Sequence, residues 1–270
     1  MNLMSPIRIF LSSAVFSFKA QFNWLYPPMW LTMKLVMTLS QMAFFVFVGQ
    51  FLLTTGNARP DIVAYIAIGN AIMALSWNTV FSVVNITSDD KWGGTLALLL
   101  ATPAPRLPLF VGRAMLHVFD GMLSVVISFL FAVFLFGVNF GSTNALALFV
   151  VVFLTAFTMA GFGLLIGGFA FYFRDPIVFA NIFTFILLIF CGVNFPIQAL
   201  PQPLQYVSYI FPLTYGIDAG RKAIGGATLI DISPLLGEML IVGFMSIIVG
   251  YIFFQSFERA ARKTGRIEAV

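Results

Sequence analysis

Charged residues are scarce in this chain, and their scarcity excludes a soluble globular protein. Only 9% of the 270 residues are Asp, Glu, Lys or Arg, whereas 60% are hydrophobic. Soluble domains carry about 25% charged and about 45–50% apolar residues. Such a chain cannot cover its own surface with polar groups, so we expect an integral membrane protein. The net charge of +4 includes no basic cluster beyond the C-terminal tail, which argues against nucleic-acid binding.

Motifs that several other functional classes need are also missing. The lone cysteine, Cys191, allows neither a disulfide framework nor a thiolate metal site, so we expect no bound metal. The chain has no GxxxxGK[ST] phosphate cradle and no LSGGQ-like signature, so it cannot bind ATP in that way. The N-terminal apolar stretch is interrupted and lacks a small-residue cleavage site, so we expect no cleaved signal peptide.

Long hydrophobic runs are what the chain has in abundance. A helix needs about 20 mostly apolar residues to cross a bilayer. Six stretches meet this requirement: 29–54, 62–84, 109–137, 145–171, 177–196 and 235–257. The predicted fold is therefore all-α and integral to the membrane, with six transmembrane helices in a single domain over residues 1–270.

Two further segments are apolar but do not read as spans. Residues 1–28 mix Arg8 and Lys19 with phenylalanines and end at a proline pair, which is typical of an amphipathic helix lying in the membrane interface. Residues 197–234 are rich in proline and glycine. We expect them to form short helices that re-enter the membrane from outside, where protein covers their free backbone groups.

The distribution of basic residues predicts the orientation. With the N-terminus inside, eleven of the 14 Lys and Arg residues lie on the inner side. The other three are Arg59, Arg221 and Lys222. Cytoplasmic loops carry the excess of Lys and Arg, so we expect both termini in the cytoplasm.

Residues 85–108 form the longest break between the early spans. Asp89 and Asp90 are suited to cap a following helix, and Gly94 permits a sharp turn before a leucine-rich stretch. A minimal connector needs only a few residues. We therefore interpret this stretch as a cytoplasmic coupling segment with a helix that docks a partner; the alternative is an ordinary loop half sunk in the head groups.

Three motifs follow one another in a fixed order along the chain. The first consists of Asp90, Lys91, Gly94, Thr95, Leu96, Leu99, Thr102, Pro103 and Arg106. The second is the pair Arg174-Asp175, and the third is Pro212-Leu213-Thr214-Tyr215 with Arg221. Together they resemble the signatures of type-2 ATP-binding-cassette (ABC) exporter permeases, of the drug-exporter or polysaccharide and teichoic-acid kind. Trp92 departs from that pattern, because many relatives carry a second acid there.

The resemblance implies roles for these residues. The ATPase-contacting set would be Asp89, Asp90, Lys91, Trp92, Gly94, Thr95, Leu96, Leu99 and Arg106. Arg174 and Asp175 would form a cytoplasmic hinge, and an outer gate would contain Pro212, Thr214, Tyr215 and Arg221. It also implies two copies of a separate ABC ATPase subunit, which would hold ATP and Mg, and a second copy of this permease. Surrounding lipid and a bacterial inner-membrane location complete the expectation, with no cofactor on this chain.

Polar residues inside the predicted spans are the candidates for a substrate pathway. They are Gln41, Asn70, Asn78, Asp120 and Asn181. An ionisable residue at membrane depth indicates function by default. Asp120, with His117 one turn earlier, fits a proton relay or a cationic-substrate site, or else a structural tether to a neighbouring helix. For most of the amides, hydrogen bonds between helices are the simpler role.

The leading functional hypothesis is the non-catalytic membrane subunit of an ATP-driven exporter, here for an amphipathic or hydrophobic compound such as a drug, an antibiotic or a lipid-like molecule. Few charges and many phenylalanines favour such a cargo. Export of a lipid-linked polysaccharide or teichoic-acid-type glycan is the alternative within the family. An ion-coupled transporter or channel without an ATPase, and an assembly protein, are alternatives from other classes.

Overall fold

The computed structural model describes residues 4–24, 27–56, 61–94, 106–169 and 176–264, and all regular structure in these ranges is helical. The helices are α1 Met4–Trp24, α2 Pro27–Thr54, α3 Ile62–Trp92, α4 Arg106–Phe134, α5 Ala145–Phe169, α6 Pro176–Phe190, α7 Gln202–Ser208, α8 Pro212–Ile224 and α9 Leu229–Thr264. A short 3-10 turn, Ile197–Ala199, lies between α6 and α7. The prediction of an all-α protein is therefore confirmed.

Five of the described helices are long and apolar enough to cross a membrane. Their candidate spans are Pro27–Thr54, Ile62–Ile86, His117–Phe134, Ala145–Gly167 and Leu229–Phe253. The sixth predicted span is shorter than expected, because α6 ends at Phe190 and has only 15 residues. At 1.5 Å per residue it is about 22 Å long, less than the roughly 30 Å of a hydrocarbon core.

Helix α3 occupies the centre of the bundle. Its apolar window is 81% buried, whereas the windows of α2 and α9 are each 22% buried. It packs against α2, α4, α5, α6 and α8. Ile72, Leu75 and Val80 are fully enclosed, because α3 has neighbours on every side at these positions. By contrast, α2 and α9 lie at the periphery and expose apolar side chains.

Residues 191–228 gather at one end of the bundle, which we call the proline end. Helix α8 begins with Pro212 at a position where its missing N–H costs little, and most of its residues are buried. Its Gly216 and Gly220 lie against Thr155 of α5 and Ile72 of α3. The predicted short helices are present here as α7 and α8, and α8 packs against the long helices α3, α5 and α9.

Helix α9 begins at Leu229, six residues before the predicted start of the last span at residue 235. Thr228 and Asp231 form a capping box, in which the Thr228 backbone N–H donates to Asp231 Oδ2 (2.8 Å). Pro234 therefore lies inside the helix and cannot donate to the Ile230 carbonyl. The Ser233 hydroxyl donates to that carbonyl instead (2.8 Å), so the proline leaves no acceptor unpaired.

Candidate functional site

Lys34 of α2 and Asp120 of α4 form an ion pair inside the bundle. The two side chains are only 6% and 14% exposed. Lys34 Nζ also donates to the Asp120 backbone carbonyl (2.8 Å), so the ammonium group contacts the residue twice. Asp120 thus has the contact on a neighbouring helix that a structural tether requires. Lys34 was not among the predicted site residues, although an acid at membrane depth calls for a basic partner and Lys34 lies within a predicted span.

A cavity of about 370 Å³ opens beside this ion pair. The Lys34 ammonium lies 5.3 Å from the ring centroid of Trp30, one turn earlier in α2. The polar residues that line this cavity include Asn78 and Ser124. The cavity is therefore polar at the ion pair and bordered by an aromatic ring.

A second cavity, of about 400 Å³, continues from the first. The two cavities share the lining residues Thr38, Gln41, Ala74 and Trp77. Because they share these walls, we treat them as one groove along α2, α3, α4 and α6. The part away from the ion pair is mainly apolar, and its lining includes Phe44, Phe45, Met73, Phe185 and Leu188.

The groove brings together four of the five predicted pathway residues, namely Gln41, Asn70, Asn78 and Asp120. Asn181 is not among its described lining residues. Its Nδ2 donates to the Ile177 carbonyl of its own helix (3.1 Å). Tryptophans at the groove wall, Trp30 and Trp77, were not predicted, because sequence alone does not separate them from lipid-facing aromatics.

Two of the groove amides are engaged in contacts between helices. Asn78 Nδ2 donates to the Ser124 hydroxyl of α4 (2.9 Å) and to a carbonyl of its own helix. Asn70 Nδ2 donates to Asn194 Oδ1 at the proline end (2.8 Å) and likewise to its own helix. These bonds agree with the structural role expected for most of the amides. Gln41 makes no hydrogen bond within the described part of the chain.

Arg221 of α8 makes the most extensive polar contact at the proline end. Its guanidinium donates to the carbonyls of Gly192 (2.8 Å), Val193 (2.8 Å) and Tyr65 (2.9 Å). Its Cζ lies 3.4 Å from the ring centroid of Tyr65. Burial lowers the pKa of Arg221 to about 10, so the group is still protonated at neutral pH. We call this arrangement the arginine clamp.

The arginine clamp depends on a close approach of α3. A Cβ atom on Gly69 would overlap the Val193 carbonyl and lie 2.6 Å from the Arg221 guanidinium. A side chain there would therefore displace both the guanidinium and the backbone it holds. Sequence inspection gives no sign of this requirement, because the acceptors are main-chain carbonyls.

The other residues predicted for the outer gate stabilise the turn between α7 and α8. The Thr214 hydroxyl donates to the Ser208 carbonyl (2.6 Å), and the Tyr215 hydroxyl donates to the Tyr209 carbonyl (3.0 Å). Pro212 is the first residue of α8. All three residues are buried, so they fix the geometry of this turn. A gating role stays a prediction.

The predicted coupling segment is described only in part. Asp89, Asp90, Lys91 and Trp92 lie in the last turn of α3, which extends eight residues beyond its predicted end at 84. The two acids therefore lie in the C-terminal turn of α3, and the helix that they were expected to cap lies outside the described residues, so that expectation stays a prediction.

Gly94 follows with φ of 67°, a conformation common after the last turn of a helix. Arg106 is the first residue of α4. Thr95, Leu96, Leu99, Arg174 and Asp175 lie outside the described residues, so their predicted roles stay predictions. Within the described ranges, no group of three or more His, Cys, Asp or Glu side chains is arranged to hold a metal ion.

Comparison with known proteins gives one clear result. The family model for "ABC-2 type transporter" matches residues 9–224, which is most of the chain and includes α1 to α8. A comparison with curated proteins gave no match. The matched range contains both the groove and the arginine clamp.

Proposed function

Because the chain belongs to the ABC-2 type transporter family, whose members are membrane components of ABC transporters, we propose that it is the permease of an exporter driven by a separate ATPase. In this proposal both termini face the cytoplasm of a bacterial cell. ATP and Mg are held by the partner subunits, two of which would bind a pair of permeases. The cargo would be an amphipathic or hydrophobic compound that passes along the groove.

The observation that carries this proposal is the continuity of α3. Asp89 to Trp92 lie at one end of this helix, Asn70 and Trp77 line the groove, and Tyr65 is held by the arginine clamp at the other end. A helix of 31 residues is about 46 Å long at 1.5 Å per residue. Movement of the coupling segment by an ATPase would therefore reach the groove and the clamp through one stiff element.

We expect ATP-driven closure of the two ATPase subunits to displace the end of α3 at Asp90. The same displacement would shift α3 relative to α2 and α6, which border the groove. The arginine clamp joins α3 to α8 and to the segment after α6, so the proline end would move with α3 and act as the external gate. The hinge predicted at Arg174 and Asp175 would allow α6 to follow.

The decisive experiment is an ATPase-coupling assay with a matched control. The purified permease would be combined with the ATPase subunit that co-purifies with it, in lipid nanodiscs. We expect Asp89→Ala with Asp90→Ala to abolish stimulation of ATP hydrolysis by the permease, because both acids lie at the proposed contact. Asp61→Ala, an exposed acid before the other end of α3, should keep full stimulation. Full stimulation by the double variant would contradict the proposed contact.

Export of a glycan is the second candidate, and the two tryptophans of the groove are the observation that favours it. Sugar rings stack on aromatic faces, and Trp30 and Trp77 both line the groove. Uptake into inverted vesicles separates the candidates, because a glycan exporter would move a lipid-linked oligosaccharide and leave simple amphiphiles behind. The ion-coupled alternative predicts transport that depends on a proton gradient and no stable complex with an ATPase, so the coupling assay also separates it from the exporter.

A further inference from the structure

The groove has room for one ligand of ordinary drug size. Its two parts have volumes of about 370 and 400 Å³. Binding pockets for small molecules are typically about 300–1,000 Å³. The space is therefore suited to a compact molecule lying along α2.

The two ends of the groove differ in chemistry. Lys34, Asp120, Asn78 and Ser124 line one end, together with the ring of Trp30. Apolar and aromatic side chains dominate the other, where Phe45 and Met73 face the cavity. A ligand that fills both ends must carry a polar group at one end and an apolar body at the other.

The charges at the polar end specify the ligand further. Among the described residues that line the groove, Lys34 and Asp120 are the charged ones, and they neutralise each other. A ligand with net charge would add an uncompensated charge at membrane depth, which costs several kcal/mol in a low-dielectric environment. A zwitterion adds none, and its anionic and cationic parts can bind Lys34 and Asp120 respectively.

Gln41 supplies a polar contact where the two parts of the groove meet. It lines both cavities, and no described residue bonds to its amide. The donors of Asn70 and Asn78 are already used in contacts between helices. Gln41 is therefore the groove amide that is available to a ligand, at the position where a polar head joins an apolar body.

We propose that the groove binds a single-chain amphiphile with a zwitterionic head group, which deepens the proposed function and depends on it for the step of export. The head lies between Lys34 and Asp120 beside Trp30. Gln41 bonds the linkage between head and chain, and the chain extends past Phe45 and Met73.

Binding can be measured through the tryptophans of the groove without any ATPase. A variant with Trp24→Phe and Trp92→Phe leaves Trp30 and Trp77 as the emitting residues, because the chain has four tryptophans. The protein is placed in phosphatidylglycerol nanodiscs, so that bulk lipid supplies no zwitterionic head. The probes have equal chains, brominated near the head, and carry a phosphocholine, a trimethylammonium or a sulfate head group.

We expect saturable quenching with the phosphocholine probe and at least tenfold weaker binding of the other two. Gln41→Leu should weaken phosphocholine binding about tenfold, the loss of one hydrogen bond of about 1.4 kcal/mol. Gln50→Leu, on α2 but outside the described groove lining, should leave it unchanged. Asp120→Asn should shift the preference toward the sulfate probe and Lys34→Gln toward the trimethylammonium probe.

Several results would overturn this inference. Equal quenching by all three probes, or no response to Gln41→Leu, would show that the groove does not select a zwitterion. Tighter binding of a two-chain phosphatidylcholine would identify bilayer lipid as the occupant. If two chains of a Gln41→Cys variant form a disulfide with each other and the probe does not bind, the occupant of the groove is a second copy of the permease. If the probes do not quench the tryptophans but the permease still stimulates the ATPase, only the ligand inference is rejected. If quenching is normal but no ATPase associates with the permease, only the proposed function is rejected.

Discussion

Among the residues that the structure describes, Lys34 beside the groove and Arg221 at the proline end are cations that the fold holds by different means. Lys34 is neutralised by the carboxylate of Asp120 and faces a cavity. Arg221 bonds three main-chain carbonyls and lies over the ring of Tyr65. A side-chain partner can be exchanged for a ligand group, whereas backbone carbonyls cannot leave without moving the chain. The first arrangement is therefore suited to binding and the second to holding structure.

The largest effect predicted from this comparison is the loss of the arginine clamp. Arg221→Met removes three charge-assisted hydrogen bonds, each worth about 1.5–3 kcal/mol, and the Gly192 carbonyl then keeps only its bond from the Tyr65 hydroxyl. We expect a decrease of at least about 5 kcal/mol in the free energy of unfolding, near the lower end of the sum of three such bonds, measured by thermal or denaturant unfolding in detergent micelles. Equal stability of Arg221→Met and wild type would show that the clamp is not structural.

The neighbouring residue provides the control for that variant. Lys222→Met removes a cation from the same turn of α8, but its ion pair with Asp218 (3.2 Å) is half exposed. Exposed ion pairs contribute about 0–1 kcal/mol. The variant should therefore unfold close to wild type, which separates loss of the clamp from a change of net charge.

The next effect concerns the Lys34–Asp120 pair and tests whether each side chain of the pair can be replaced when its partner is replaced as well. Lys34→Met and Asp120→Leu should each destabilise the protein by about 3–5 kcal/mol, because each leaves an uncompensated buried charge. The double variant removes both charges and should recover most of that loss. A double-mutant cycle by chemical unfolding measures this coupling.

The matched cycle uses Lys222→Met and Asp218→Leu, the half-exposed Lys–Asp pair of α8. Its coupling free energy should be below about 1 kcal/mol, since solvent screens both charges. Couplings of similar size in the two cycles would mean that the Lys34–Asp120 pair is not enclosed as the structure places it.

The sequence predicts the arrangement of long helices better than their ends. Hydropathy located five spans, because the part of a helix that crosses the hydrocarbon core must be apolar and therefore coincides with an apolar run in the sequence. It did not predict that α3 continues through Asp89 and Asp90, since a helix need not end where its hydrophobicity does. Pro234 suggested a break, although Ser233 and the capping box allow a helix there.

For the candidate sites, the sequence likewise indicated individual residues but not the partners that they contact. Asp120 stood out in the sequence as an acid inside an apolar run, but its partner depends on how α2 and α4 are aligned. No periodicity within one helix contains that information. Arg221 was picked out by family resemblance alone, and its three acceptors are main-chain carbonyls, which every residue possesses. The need for glycine at position 69 is equally hidden in the sequence, because the atom that a Cβ would meet there is the main-chain oxygen of Val193.

The smallest predicted effect lies at a hydrogen bond that joins the two regions. Asn70 lines the groove, and its Nδ2 donates to Asn194 Oδ1 (2.8 Å). Asn194 directly follows Val193, whose carbonyl is held by Arg221. Hydrogen bonds between membrane helices contribute about 0.6 kcal/mol on average and at most about 1.7. We expect a coupling of this size between Asn70→Ala and Asn194→Ala in a double-mutant cycle.

Asn181→Ala is the control for this cycle, because Asn181 donates to a carbonyl of its own helix and has no hydrogen bond to another element among the described residues. Its stability should change by less than about 0.5 kcal/mol, as for most substitutions away from such contacts. Zero coupling between Asn70 and Asn194 would mean that the groove and the arginine clamp respond to α3 separately. A positive coupling would instead allow a ligand that draws Asn70 away from Asn194 to loosen the segment that Arg221 holds, so that cargo in the groove acts on the proline end through one amide.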